Sequence, residues 1–253
     1  MFDMDAVSEA LPGRMVLWLE STDSTMLDAA RLAAGGCPSG AVIGAEEQTG
    51  GLGRQGHAWH SEAGTGLYFS VVLRQRLPAD QLPVLTMALG LAAAEAITQT
   101  TGLVVDLRWP NDVMIGDRKV AGILVQQHPG ALIAGIGINV NQAGFPAAIE
   151  SIATSLRLAV GGTRTFAREP LLAALLAAID RHVEILTAAQ GKEAILRLFT
   201  QASSYVAGRR VVVEQNHTLL RGTTAGMDPD GFLILRQDDG HRTLILAGGV
   251  RPE

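Results

Sequence analysis

Five short stretches carry residue types that do chemistry. Gly51-Leu52-Gly53-Arg54-Gln55-Gly56 sets three glycines around one arginine. Closely spaced glycines let backbone N–H groups approach an anion, and a guanidinium fork matches phosphate or carboxylate. Arg108-Trp109-Pro110-Asn111-Asp112 and Arg118-Lys119-Val120-Ala121-Gly122 come next. They offer a carboxylate and an amide at a turn, then a compact ammonium on a returning hairpin. Asp112 suits Mg²⁺ or a polar ligand contact, Lys119 a phosphate, and Gly122 a close approach to the strand backbone. Asp23-Ser24-Thr25 supplies hydroxyls. Gly135-Ile136-Gly137-Ile138-Asn139 bares one face of a strand, where a second backbone or a flat ligand packs. Each stretch alone also has a plainer reading: a surface turn, an Asx turn with an exposed lysine, or a helix N-cap.

Other chemistries lack their residues. The glycine loop matches the dinucleotide fingerprint in letters, but His57-Ala58-Trp59-His60 does not open the helix that the fingerprint requires. No phosphate loop, kinase catalytic loop or nucleophile elbow is present. Six histidines and one cysteine, Cys37, give no zinc spacing. A lone cysteine fits a reducing cytoplasm. The net charge of −5 and pI near 5.7 argue against a nucleic-acid coat. Phe2-Asp3-Met4-Asp5 lacks the layout of a secretory signal. The most apolar stretch, residues 82–97, carries Pro83, Thr86 and Glu95 and reads as a buried helix. Of 20 cationic side chains only Lys119 and Lys192 are lysine; codon bias explains the scarcity, and Lys192 reads as a surface residue.

Periodicity supplies the elements that position these residues. Strands are expected near 15–19, 41–46, 67–74, 103–107 and 131–140, with a hairpin through 113–126. Helices are expected near 27–34, 80–100, 170–189 and 192–203. A glycine-studded loop fills 48–66. After residue 206 the texture changes to short strands at 210–214, 219–225, 232–235 and 243–246, separated by turns that include Asn216-His217. About 45 residues make a small β unit that must lean on a larger α+β domain.

Taken in order, these stretches resemble the catalytic domain of biotin–protein ligases (biotin–[acetyl-CoA-carboxylase] ligases). That pattern runs Asp-Ser-Thr, then Gln-Thr-x-Gly-x-Gly-Arg-x-Gly followed by Trp. It continues with Lys-Trp-Pro-Asn-Asp, Lys-hydrophobic-x-Gly-Ile-Leu and Gly-Ile-Gly-Ile-Asn. Here it stands as 23–25, 48–56 with Trp59, 108–112, 119–124 and 135–139, over a resemblance spanning 15–253. Leu52 and Arg108 depart from it, where the family often has arginine and lysine.

The resemblance implies an α+β fold: a mixed-sheet, class II synthetase-like catalytic domain over 1–206 and a C-terminal SH3-like β-barrel over 207–253. It implies a cytoplasmic ligase that joins biotin and MgATP into biotinyl-5′-AMP, then transfers biotin to a lysine of a biotin carboxyl carrier protein. Biotin contacts are expected from Ser24, Thr25, Gln48, Trp59, Lys119 and Gly122. Contacts to ATP or the adenylate are expected from Gly51, Gly53, Arg54, Gly56, Asn111, Asp112, Lys119 and Asn139, with Asp112 on the metal side. Lys119 and Arg54 are the expected catalytic groups. With the first catalytic strand near residue 15, neither an N-terminal DNA-binding domain nor DNA or membrane partners are expected, and the resemblance leaves room for a homodimer. A lipoate or octanoate ligase and a non-catalytic adaptor are the competing readings.

Overall fold

The computed structural model describes every residue except Met1, Arg76, Ala79, Asp80, Asn216 and His217. The Asn216-His217 turn and the expected helix start at Asp80 lie outside the described residues. A seven-stranded sheet runs β1 (Val16–Thr22), β2 (Val42–Gln48), β3 (Gly66–Leu73), β7 (Ala131–Asn139), β6 (Arg118–His128), β5 (Asp112–Ile115) and β4 (Asp106–Arg108). Only β1 and β2 are parallel, joined by α2 (Thr25–Ala34); every other neighbour is antiparallel.

All eight residues of β3 are buried because both faces of this central strand are covered. Leu67, Phe69, Val71 and Leu73 join the main core with α3 (Leu82–Thr101) and α5 (Arg168–Thr187). Val72, Ile43 and Ile133 meet Met26, Ala29 and Ala33 of α2 on the other face. The helix α3 has the length and composition to cross a membrane, yet most of it is buried against α5, α6 (Gly191–Ala202) and the sheet. It starts at Leu82 with Pro83 in its first turn, where the missing N–H costs nothing.

Four elements escaped the sequence patterns: α1 (Met4–Ala10), the short α4 (Leu156–Ala159), a 3₁₀ turn at Arg54–Gly56 and β12 (Val250–Pro252). Asp3 caps α1 by accepting from the N–H groups of Asp5 and Ala6. Phe2 stacks on Trp18 at 3.7 Å, and Arg168 lies over the Phe2 ring. The Arg168 guanidinium also bonds both oxygens of Glu46, at 2.9 and 3.1 Å. Burial alone would raise the Glu46 pKa, but Arg168 and Trp18 hold it below the usual carboxylate value.

The C-terminal strands β8 (Ala207–Gln215), β9 (Thr218–Met227), β10 (Leu233–Gln237), β11 (Arg242–Ile245) and β12 form one antiparallel sheet ordered β11-β10-β9-β8-β12. Its edge strands are not paired with each other, so closure into the expected barrel is not seen among the described residues. Val211, Val213, Leu233, Leu235, Ile245 and Val250 enter the same core as the larger sheet. Trp109 Nε1 donates to the Gly231 carbonyl at 2.9 Å across the junction. Lys192, read as a surface side chain, pairs with Asp230 there at 2.5 Å.

Candidate active site

The strands β6 and β7 set Gly122 opposite Gly137 and Leu124 opposite Gly135. Paired residues of an antiparallel ladder share a face, so three glycines leave a bare patch across two central strands. Aromatic and thioether side chains fill it. A Cβ on Gly137 would stand 2.4 Å from the Trp59 indole, and one on Gly135 would stand 2.7 Å from Met26 Sδ. A Cβ on Gly122 would meet Lys119 Nζ at 2.8 Å and Trp59 at 2.9 Å. These glycines are the floor of a cleft of about 440 Å³, including its open mouth.

One end of the cleft is polar and uncharged. Ser24 occupies the N-cap position of α2, but its hydroxyl caps nothing. Its Oγ is buried without a hydrogen-bond partner, and Trp59 Nε1 is in the same state. Such groups are uncommon in folded proteins, and both of these belong to residues that line the cleft, where a bound molecule can supply the partner. Beside them, the Thr25 N–H and Oγ1 donate to Gln48 Oε1 at 2.9 and 3.1 Å. Gln48 Nε2 donates to Ser61 Oγ at 3.0 Å, and Thr25 Oγ1 lies 2.9 Å from Ser70 Oγ. Ser61 and Ser70 were not legible as site residues, because each is a lone serine in the chain and only the fold brings it to Thr25 and Gln48.

The other end is cationic. Lys119 Nζ lies 5.2 Å from the Trp59 ring centroid and 2.5 Å from Asp112 Oδ1. Arg108 engages Asp112 Oδ2 through Nε and Nη2, at 3.2 and 2.7 Å. Burial alone would raise the Asp112 pKa, but the two cations hold it below its ordinary range. Asp112 therefore stands as a counter-ion. Arg108 makes two contacts to Oδ2, and Lys119 makes one to Oδ1. No group of three His, Cys, Asp or Glu side chains suited to a metal occurs among the described residues.

Arg54 reaches this end from the glycine loop. Its Nη1 donates to Asn111 Oδ1 at 2.9 Å and, more weakly, to the Gly248 carbonyl at 3.5 Å. Burial lowers its pKa, offset in part by Asp112, and the guanidinium stays charged. Asn111 is held by its own backbone and side-chain bonds to Ile123, which aims Oδ1 at Arg54. The loop closes on itself through Gly53 N–H to His57 O at 2.7 Å and Trp59 N–H to Gly51 O at 2.9 Å. A Cβ on Gly51 would stand 2.6 Å from the Trp59 carbonyl, so a larger residue there would hold the two arms apart.

Among the expected residues, Ser24, Thr25, Gln48, Gly53, Arg54, Trp59, Asn111, Lys119 and Gly122 line this one cleft. Gly51 supports the loop behind it and Asp112 anchors Lys119. Gly56 makes the loop turn, with φ +78 and nothing within 4 Å of a Cβ. Asn139 does not reach the cleft. It is buried, its Nδ2 donates to the Thr154 carbonyl at 3.0 Å, and it holds the segment that follows β7. The motif glycines signalled the floor, but nothing in the sequence marked Asn139 as structural.

Residues 18–142 match the Biotin/lipoate A/B protein ligase family, and residues 206–248 match the Biotin protein ligase C terminal domain. The biotin–[acetyl-CoA-carboxylase] ligase of Paracoccus denitrificans is 32% identical over 90% of this chain and 97% of that protein. The bifunctional ligase/repressor BirA of Bacillus subtilis is 30% identical over 93% of this chain and 73% of that protein. The biotin protein ligase of Aquifex aeolicus, solved in complex with biotin and ATP, superposes with a TM-score of 0.80 at 32% identity. That match covers 93% of this chain and 97% of that one.

Proposed function

Because the chain belongs to the biotin protein ligase family, we propose that it attaches biotin to a carrier lysine at the expense of ATP, through biotinyl-5′-AMP. A carboxylate oxygen of biotin attacks the α-phosphorus of MgATP and pyrophosphate leaves. The lysine amine of a biotin carboxyl carrier domain then attacks the acyl carbon and AMP leaves. Neither step needs a covalent bond to the enzyme. Magnesium arrives as part of the nucleotide substrate and offsets phosphate charge.

The observation that carries this reading is the cleft's polarity. A buried, partnerless Ser24 hydroxyl beside Thr25 and Gln48 suits a neutral hydrogen-bonding head group such as the biotin ureido ring. The Trp59 indole, seated on the glycine floor, gives the cleft an apolar wall that suits the thin aliphatic tail of biotin. Lys119 and Arg54 then stand where carboxylate and α-phosphate must be brought together, and offset like-charge repulsion as charge moves in the transition state. Closure of loop 50–60 shields the adenylate from water. The carrier belongs to a biotin-dependent carboxylase, and the reaction takes place in the cytoplasm.

Biotin-dependent ATP–pyrophosphate exchange tests the proposal directly. Exchange with biotin, and none with lipoate or octanoate, is the expected result. Exchange with lipoate instead would move the chain to the lipoate branch, and none with any acid would leave a binding protein.

A further inference from the structure

Arg108 stands where the family pattern has lysine, and it does not line the cleft. Its guanidinium binds one oxygen of Asp112 while Lys119 binds the other. The three side chains are 16%, 14% and 27% exposed, so water screens them little. Two cations share one anion, which leaves a net charge of +1. Without Arg108, Asp112 and Lys119 would form a neutral pair, and a carboxylate 2.5 Å from Nζ would cancel most of the ammonium's field in the cleft. Asp112 cannot simply be a partner for Lys119; its charge has to be met from the far side for the ammonium to act on a substrate anion.

We propose that Arg108 is a positioning residue for adenylation: by engaging Asp112 Oδ2 it neutralises that carboxylate and leaves Lys119 with an uncancelled positive charge facing the cleft. The inference rests on the functional reading above. Arg108 touches neither substrate and acts through Asp112. Both Arg108 contacts fall on the one oxygen Oδ2, so the place calls for a cation on the far side of the carboxylate and not for a two-oxygen fork.

The test is a charge series read by biotin-dependent ATP–pyrophosphate exchange, with a melting temperature for each variant. Arg108→Gln removes the cation and lowers exchange by about 10²-fold, the scale of one electrostatic group. Arg108→Lys keeps the charge and stays within about fivefold of the parent. Arg108→Gln combined with Asp112→Asn removes cation and anion together, restores the net +1, and exceeds Arg108→Gln by about tenfold or more. Arg108→Gln matching the parent overturns the proposal. So does a double variant no faster than Arg108→Gln when both melt like the parent. If Arg108→Gln does not fold, the double variant, which leaves no unpaired carboxylate, decides alone: exchange within about tenfold of the parent supports the proposal, and any larger loss overturns it. A parent without exchange activity overturns the functional reading and takes this inference with it, whereas an active parent with a failed series overturns only the inference.

Discussion

Gly137→Ala probes the cleft floor with a single methyl group. Gly137 has no left-handed backbone, so alanine costs nothing in φ, and the effect is steric. The added Cβ would stand 2.4 Å from Trp59 Cε2, and the next nearest atoms also belong to that indole. Ordinary carbon contacts lie near 3.5 Å, so the ring must lift by about 1 Å. Overpacking of this kind costs about 1–3 kcal/mol. In urea melts the variant loses about that much stability. In calorimetry, biotin affinity falls about 10- to 100-fold, at about 1.4 kcal/mol per factor of ten. The control is the same substitution in a Trp59→Ala background, where the methyl has no indole to meet. There Gly137→Ala costs less than about 0.5 kcal/mol, as for uncoupled sites. Equal penalties in the two backgrounds would refute the argument that the glycine exists to seat the indole.

Three further outcomes are expected. Lys119→Ala lowers ATP–pyrophosphate exchange by about 10²–10³-fold, and unchanged exchange would remove its assigned role. Arg168→Met leaves Glu46 buried without its cation and destabilises the chain by about 3 kcal/mol. The folded Glu46 pKa lies below its ordinary value of 4.5, so its contribution is present above that value and is lost as pH falls through the folded one. Urea melts across the acid limb should show this loss in the parent and not in Arg168→Met. Amide exchange in residues 50–60 slows when biotin and ATP are added; equal rates with and without them would count against loop closure.

The sequence was most legible where function depends on local pattern. Alternate glycines at 135 and 137 announced a bare face, and the structure places an indole and a thioether over it. The Asp23-Ser24-Thr25 stretch left a helix cap and a ligand contact in competition. Both readings meet in Ser24, which takes the N-cap position while keeping its hydroxyl out of the cap. What stayed hidden depends on contacts distant in sequence. Ser70 matters only because β3 carries it to Thr25, and β12 exists only because β8 gives it a partner. The pairing of Asp112 with Arg108 and Lys119 was hidden because it depends on the register of β4, β5 and β6. Asn139 illustrates the converse: a motif position whose polar side chain is spent on the backbone of residue 154.

The floor and the roof of the cleft differ in how they are built. The floor belongs to β6 and β7, each bonded on both sides within the seven-stranded sheet. The roof is the loop 50–60, held by a few hydrogen bonds of its own, by Gly50 N–H to the Asp23 carbonyl, by Arg54 and by the Trp59 ring on the floor. Local opening of the roof therefore costs far less than any disturbance of the floor. For the proposed reaction, the expected lifetime of a bound adenylate follows the opening of this loop more than the stability of the sheet. Substitutions at the loop tip, residues 52–57 and away from the Trp59 contact with the floor, are expected to change that residence time while the melting temperature of the chain stays where the sheet sets it.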